Sequence, residues 1–252
     1  MDTKSGMQFA LGPKLTPTVK TLMVINVLVF VSITFFGHAL HPTLNVPYGA
    51  LIVSILGLHP QEVIAQYTVW QLLTFLFVHA TFLHLLFNML GLWWFGADLE
   101  RVWGSKRFFR YFLFTGIGSG LVSLLMQQPT IGASGSIYGL LFAFGMLYPN
   151  RVIYLYFVLP IRAKYFVLLF GLLELGALVF SRADGINHWA HLGGLFFGFV
   201  WFFIDRNRIS PRMLLRRYRY YKHRKRFRLI VNEQELPEES GPYVDDKNPT
   251  IH

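Results

Sequence analysis

Ser134 stands among glycines in Ile131-Gly132-Ala133-Ser134-Gly135-Ser136-Ile137-Tyr138-Gly139, at the head of an apolar stretch that runs to Tyr148. Two other polar groups lie in distant apolar runs: His79, His84 and Asn88 in one, His188 and His191 in another. Serine, histidine and asparagine inside hydrocarbon are expensive, and where they persist they usually work. A histidine close to a serine can take its proton and make the hydroxyl nucleophilic without an acidic third member. Acyl transfer also needs donors for the oxyanion. Asn88 offers an amide, His84 a ring N–H, and a serine that opens a helix offers its own unpaired backbone N–H. The chemistry these residue types suggest is a nucleophile, a base and an oxyanion clamp built inside a bilayer.

Helical spacing assigns faces. His84 and Asn88 are i,i+4 neighbours, and so are Ser134 and Tyr138. Tyr138, one turn from Ser134, is placed to pack on an imidazole. His191, Gly194 and Gly198 follow i, i+3, i+7, so the histidine points into a face where glycines permit close helix approach. Each pattern also has a plainer reading. Gly132-Ala133-Ser134-Gly135 alone fits helix packing, and His191 alone fits a hydrogen-bonded core histidine. His84 with Asn88 fits an interhelical polar clamp. His79 fits a tie between a loop and a helix, and His188 a wet interfacial residue.

Elements must bring these groups together, and composition says which kind. The chain has 252 residues, 54% hydrophobic and only 14% charged, against about 25% charged in a soluble domain. The apolar residues come in long blocks, the mark of a polytopic membrane protein. The absence of cysteine excludes disulfides, thiolate metal sites and a cysteine nucleophile. The net charge of +10 is local: eleven of the 23 Lys and Arg lie in residues 206–228, directly after the last apolar run. That placement suits an anionic membrane surface as partner, and no nucleic-acid-binding motif is present. Residues 1–20 are polar and lack the pattern of a signal peptide, so the first apolar run reads as a retained span.

Six spans can be drawn, over residues 21–40, 79–99, 108–126, 134–148, 165–180 and 188–204. Lys and Arg set their direction. Lys4, Lys14 and Lys20 precede the first span, Arg101, Lys106 and Arg107 follow the second, and Arg151, Arg162 and Lys164 follow the fourth. Residues 21–100 and 127–133 contain neither Lys nor Arg, and 181–187 contains only Arg182. Both termini are therefore expected in the cytoplasm. Spans two, four and six then start outside, which puts His79, His84, Asn88, Ser134, His188 and His191 in one leaflet. The fourth span is only about 22 Å long, shorter than the ~30 Å hydrocarbon core, so its start must sit below the surface in a hydrated cavity. Residues 41–77 are too apolar for a plain loop and are expected as short helices in the outer interface, with Tyr67 and Trp70 at headgroup depth.

At these residues the chain resembles the rhomboid family of intramembrane serine proteases. His79-Ala-Thr-Phe-Leu-His84-Leu-Leu-Phe-Asn88 looks like the family's second-span motif, Gly132-Ala133-Ser134-Gly135 like its nucleophile motif, and Ala190-His191-Leu192-Gly193-Gly194 like its base motif. The resemblance covers roughly residues 68–204. It implies a Ser134–His191 dyad, with His84 and Asn88 in the oxyanion hole, Gly132 and His79 in support, and Tyr138 packed on the base. It implies an all-α membrane protein with six transmembrane helices, the fourth central. One departure is Trp70-Gln71, where the family often has Trp-Arg, which leaves the anchoring of that outer segment open.

The expected organisation is a cytoplasmic arm (1–20), a six-helix protease domain (21–204), a basic juxtamembrane segment (205–231) and an acidic, disordered tail (232–252). The expected function is hydrolysis of peptide bonds in or near transmembrane segments of single-span proteins, without cofactor or metal, in the bacterial cytoplasmic (inner) membrane. The alternative is a non-proteolytic rhomboid-like binding or quality-control protein, and retention of Ser134 and His191 argues against it. A small transporter would need charged groups within its spans. Here only Glu174 stands mid-span, and it reads as a hydrogen-bonded or water-facing group rather than a proton site.

Overall fold

The computed structural model describes residues 13–37, 46–155, 159–180 and 185–205. Residues 1–204 form one unit; of a second, 205–252, only Asp205 is described, so the basic and acidic tail segments lie outside the described residues.

The described chain is mostly helical. It begins with α1 (Pro17–Phe36), then three short helices, α2 (Tyr48–Leu56), α3 (Pro60–Ala65) and α4 (Gln71–Thr74), the last passing into a 3₁₀ turn at Phe75–Phe77. One long helical stretch follows: α5 (Phe82–Gly91), a π segment (Leu92–Gly96) and α6 (Ala97–Trp103). After it come α7 (Ser105–Leu125), α8 (Ser134–Leu147), an antiparallel hairpin of β1 (Val152–Leu155) and β2 (Leu159–Arg162), α9 (Ala163–Phe180) and α10 (His188–Asp205). Among the described residues, four stretches are long and apolar enough to cross a membrane: Pro17–Phe36, Phe82–Trp103, Ser105–Leu125 and Ala163–Phe180. Ser134–Leu147 and His188–Ile204 are apolar but shorter.

Packing follows lipid rules. Of α1 only Val19, Leu22 and Asn26 are buried, and of α9 only Ala163, Phe166 and Glu174. Leu28, Phe35, Leu168 and Leu172 face outward, an apolar surface that water would penalise and hydrocarbon accepts. α8 is the enclosed helix, set against α7, α9 and the π segment. Hydrocarbon gives helices little hydrophobic reason to associate, so small residues and hydrogen bonds hold them. Ser136 donates to the Phe112 carbonyl (2.9 Å), and Tyr111, fully buried, donates to that of Gly139 (2.6 Å). α10 meets α8 backbone to backbone at Gly194, where a Cβ would strike the Gly135 carbonyl oxygen.

Several boundaries differ from the sequence expectation, each for a local reason. α1 starts at Pro17 rather than at residue 21. Proline suits the first turn, and the carboxylate of Glu100, buried in α6, accepts from the Thr16 hydroxyl and from the N–H groups of Thr18 (2.9 Å) and Val19 (3.0 Å). A cap donated by a helix some eighty residues away leaves no local signal. The second stretch starts at Phe82, not 79, because the Thr81 side chain accepts from the His84 N–H (3.1 Å) as N-cap. Arg101 and Arg151, read above as topology signals, both pair with Asp98, at 2.6 and 2.5 Å. The all-α expectation misses the hairpin, where Val152 pairs with Arg162 and Leu155 with Leu159.

The segment 46–77 forms short helices, and Gln71 settles its anchoring. Its buried amide accepts from the His59 N–H (2.9 Å) and donates to the Ser54 carbonyl (3.2 Å) and the Glu62 carboxylate (3.0 Å). Trp70 donates to the Ile55 carbonyl (3.0 Å). Leu58 and Thr130 exchange two backbone hydrogen bonds of 3.0 Å, which ties this segment to the chain leading into α8.

Candidate active site

Ser134 is the first residue of α8, and Ala133 before it caps the helix from the αR region. The first N–H groups of any helix lack intrahelical partners, so Ser134 carries a hydroxyl next to free donors. The chain reaches this point through Gly132, whose φ of +104° is open to glycine and strained for other residues. The Gly132 N–H is held by the Phe75 carbonyl at 2.8 Å.

α10 delivers the histidines. Asn187 caps it: its side-chain oxygen accepts from the Ala190 N–H (3.0 Å), and its amide donates to the Ser123 hydroxyl on α7 (3.1 Å). That bond fixes where His188 and His191 begin the helix. His191 Nε2 lies 2.8 Å from Ser134 Oγ, a hydrogen bond across 57 residues of sequence. The Tyr138 ring stacks on the His191 imidazole, centroids 4.4 Å apart and planes 11° apart. The close approach at Gly194 and Gly135 is what lets the two side chains meet.

α5 contributes His84 and Asn88. Both border Gly132, where a Cβ would lie 2.5 Å from His84 Nε2 and 3.7 Å from Asn88 Nδ2. Asn88 uses one amide N–H on the His84 carbonyl (2.8 Å), which orients the amide and leaves the second N–H. His79 is buried in the extended stretch before α5. Its ring meets His84 edge-on at 4.8 Å. The structure thus gathers Ser134, His191, Tyr138, His84, Asn88, Gly132 and His79 around the start of α8.

The sequence reading missed what Glu174 touches. Its carboxylate, buried on α9, accepts from the Tyr138 hydroxyl, lies 2.6 Å from His188 Nδ1 and lies 3.0 Å from His191 Nδ1. Nothing local signals this. A lone acid in an apolar span was the only available sign, and it does not name its partners. Glu174, His188 and His191 also form the one group among the described residues whose ligand atoms, within 4.8 Å of one another, could hold a metal ion. Asn187 was missed too, although an asparagine directly before a helix is a readable cap.

A serine hydrogen-bonded to an imidazole, with helix-start N–H groups and a side-chain amide beside it, is equipped for nucleophilic attack on a carbonyl and for holding the resulting oxyanion. Comparison with known proteins shows the family. A model of the Rhomboid domain matches residues 66–208. The chain is 36% identical over 147 residues to Rhomboid protease GluP of Bacillus subtilis, 57% of this chain and 27% of that protein. It is 34% identical over 161 residues to RHOMBOID-like protein 1 of Arabidopsis thaliana, 62% of this chain and 38% of that one. With Rhomboid protein 1, mitochondrial, of Saccharomyces cerevisiae it shares 33% over 134 residues, 50% and 38% of the two. The matched region is therefore well under half the length of each of these relatives.

Proposed function

Because this chain belongs to the rhomboid family, whose domain model matches residues 66–208, we propose that it is an intramembrane serine protease with Ser134 as nucleophile and His191 as base. The observation that carries this reading is the 2.8 Å contact between Ser134 Oγ and His191 Nε2 at the head of α8.

The steps follow from the positions of the groups. Ser134 Oγ bonds to the carbonyl carbon of the scissile peptide while its proton passes to His191 Nε2. The carbonyl electron pair moves to oxygen, where the Ser134 backbone N–H, the spare N–H of Asn88 and the His84 ring can meet it. His191 then gives its proton to the leaving nitrogen as the C–N bond breaks. Water attacks the acyl-enzyme, returns a proton to His191, and Ser134 leaves with it. Tyr138 holds the imidazole plane throughout. No step calls for a cofactor.

Two features favour work inside the bilayer. α8 has 14 residues, about 21 Å of helix at 1.5 Å per residue, so its serine end falls short of one face of a ~30 Å core. Read with α10, it brings the four long stretches to six spans, and the Lys and Arg pattern puts both termini in the cytoplasm. The protease domain then runs from Pro17, not residue 21, to about residue 204. The substrates are transmembrane segments of other proteins, and the location is a bacterial cytoplasmic (inner) membrane.

The test is a fluorophosphonate probe together with a single-span model substrate, both in reconstituted bilayers. Wild-type protein is expected to be labelled and to cleave. Ser134→Ala is expected to lose labelling, and Ser134→Ala and His191→Ala to lose cleavage while their unfolding transitions stay near wild type. A wild-type protein that neither labels nor cleaves would point instead to a non-proteolytic binding role. Cleavage retained by Ser134→Ala would remove the serine from the chemistry.

A further inference from the structure

Glu174 is a carboxylate in an apolar helix that buries little else. Leu168, Leu169, Leu172, Leu173 and Leu175 around it are exposed, whereas Glu174 is 7% exposed. An ionisable group at such a place is costly, and the cost falls only when it is paired and hydrogen-bonded. Glu174 is paired at every side. Tyr138, whose ring lies on His191, donates its hydroxyl to Oε1; His188 Nδ1 faces Oε2 at 2.6 Å; and His191 Nδ1 faces Oε1 at 3.0 Å. The far nitrogen of the same His191 ring is the one bonded to Ser134.

On the proposed protease chemistry, we infer that Glu174 is a positioning residue for His191, so that the working unit in this chain is Ser134–His191–Glu174 rather than a dyad. An ionised carboxylate only accepts hydrogen bonds, so it selects the imidazole tautomer with its proton on Nδ1. That tautomer leaves the Nε2 lone pair for the Ser134 hydroxyl. When the Ser134 proton moves to Nε2, the ring becomes an imidazolium with a negative charge beside its other nitrogen, and when Nε2 gives the proton to the leaving nitrogen the ring is neutral again. Glu174 takes no proton at any step. The His191–Glu174 contact is oblique, and among the described residues Nδ1 makes no aligned hydrogen bond. Catalytic hydrogen bonds commonly tighten only when substrate is bound. His188 and Tyr138, both bonded to the carboxylate, keep it from turning away. Among the described residues, the other charged or titratable groups about His191 are His84 from α5 and Tyr138 from α8, and neither offers a negative charge to the imidazolium.

The experiment compares wild-type protein with Glu174→Gln and Glu174→Leu in bilayers, reading kcat and KM for a single-span substrate, the rate of fluorophosphonate labelling and the unfolding transition. The expected result is a fall in kcat of about 10- to 10²-fold in both variants, the scale of a misoriented catalytic group, with labelling slowed in parallel and KM within about twofold. Folded Glu174→Gln with wild-type kcat, or with changed KM alone, overturns the inference while leaving the protease reading intact. Wild-type protein that neither cleaves nor labels removes both. If the variants fail to fold, ¹⁵N spectra of His191 in wild-type protein decide: a proton on Nδ1 supports the assignment and a proton on Nε2 refutes it. Chelator-sensitive activity restored by Zn²⁺ would assign Glu174, His188 and His191 to a metal instead.

Discussion

Gly132 answers two demands at once. Its φ of +104° lies where side chains are strained, and the place its Cβ would take lies 2.5 Å from His84 Nε2. The residue two before the serine is thereby kept bare for the two α5 side chains that border it. If those side chains hold the oxyanion, each should be worth less than the nucleophile. Removal of one such donor typically slows a reaction about 10²–10³-fold, and here the Ser134 N–H remains as a substitute. Asn88→Ala and His84→Ala are therefore expected to lower kcat measurably yet less than Ser134→Ala; turnover equal to wild type in both would exclude them from the site. At this scale the sequence was highly legible where spacing is local: the i,i+4 pairs His84/Asn88 and Ser134/Tyr138 do share faces. Glu174 was visible only as an oddity. Its partners lie 14, 17 and 36 residues away, on α10 and α8, and no spacing rule reaches that far.

At the scale of elements, α8 and α10 decide whether Ser134 and His191 meet. Their closest approach is between backbones at Gly135 and Gly194. A methyl group there cannot be absorbed by a rotamer change, because what it meets is a carbonyl oxygen. Overpacking generally costs about 1–3 kcal/mol, and a backbone neighbour puts this site at the upper end. Gly194→Ala should lower the unfolding midpoint and reduce fluorophosphonate labelling, because the helices separate close to Ser134 and His191. Unchanged labelling would mean that the site tolerates that separation. The sequence read the small-residue face of α10 correctly as a contact surface. It could not read the start of α1, since the cap comes from Glu100, nor the hold that Gln71 has on Ser54, His59 and Glu62.

For the whole molecule, if Ser134 is the nucleophile of a protease, its place at the start of a short helix constrains what can be cut. A transmembrane helix hides its carbonyls in i→i−4 hydrogen bonds, so a peptide must unwind to reach Ser134. Gly, Ser and Pro weaken helices, with Gly about 1 and Pro about 3 kcal/mol poorer than Ala. Replacing such residues near the scissile bond of a cleaved substrate by Leu is expected to suppress cleavage in a gel-shift assay with reconstituted enzyme. Faster cleavage of the Leu variant would show that unwinding is not limiting.

Class and membership were written in the sequence: long apolar blocks with few charges dictate membrane helices, and three short motifs in order mark the rhomboid family. The candidate nucleophile and base could be named because polar residues in hydrocarbon are too costly to be there by accident. Tertiary structure alone decided the distances between them and the company they keep. The 2.8 Å contact of Ser134 with His191, the stacking of Tyr138, the capping of α1 by Glu100 and the junction at Glu174 all join residues far apart in the chain. Such contacts depend on how closely helices pack, and that is set by glycine-to-backbone approaches which a linear pattern permits but does not dictate.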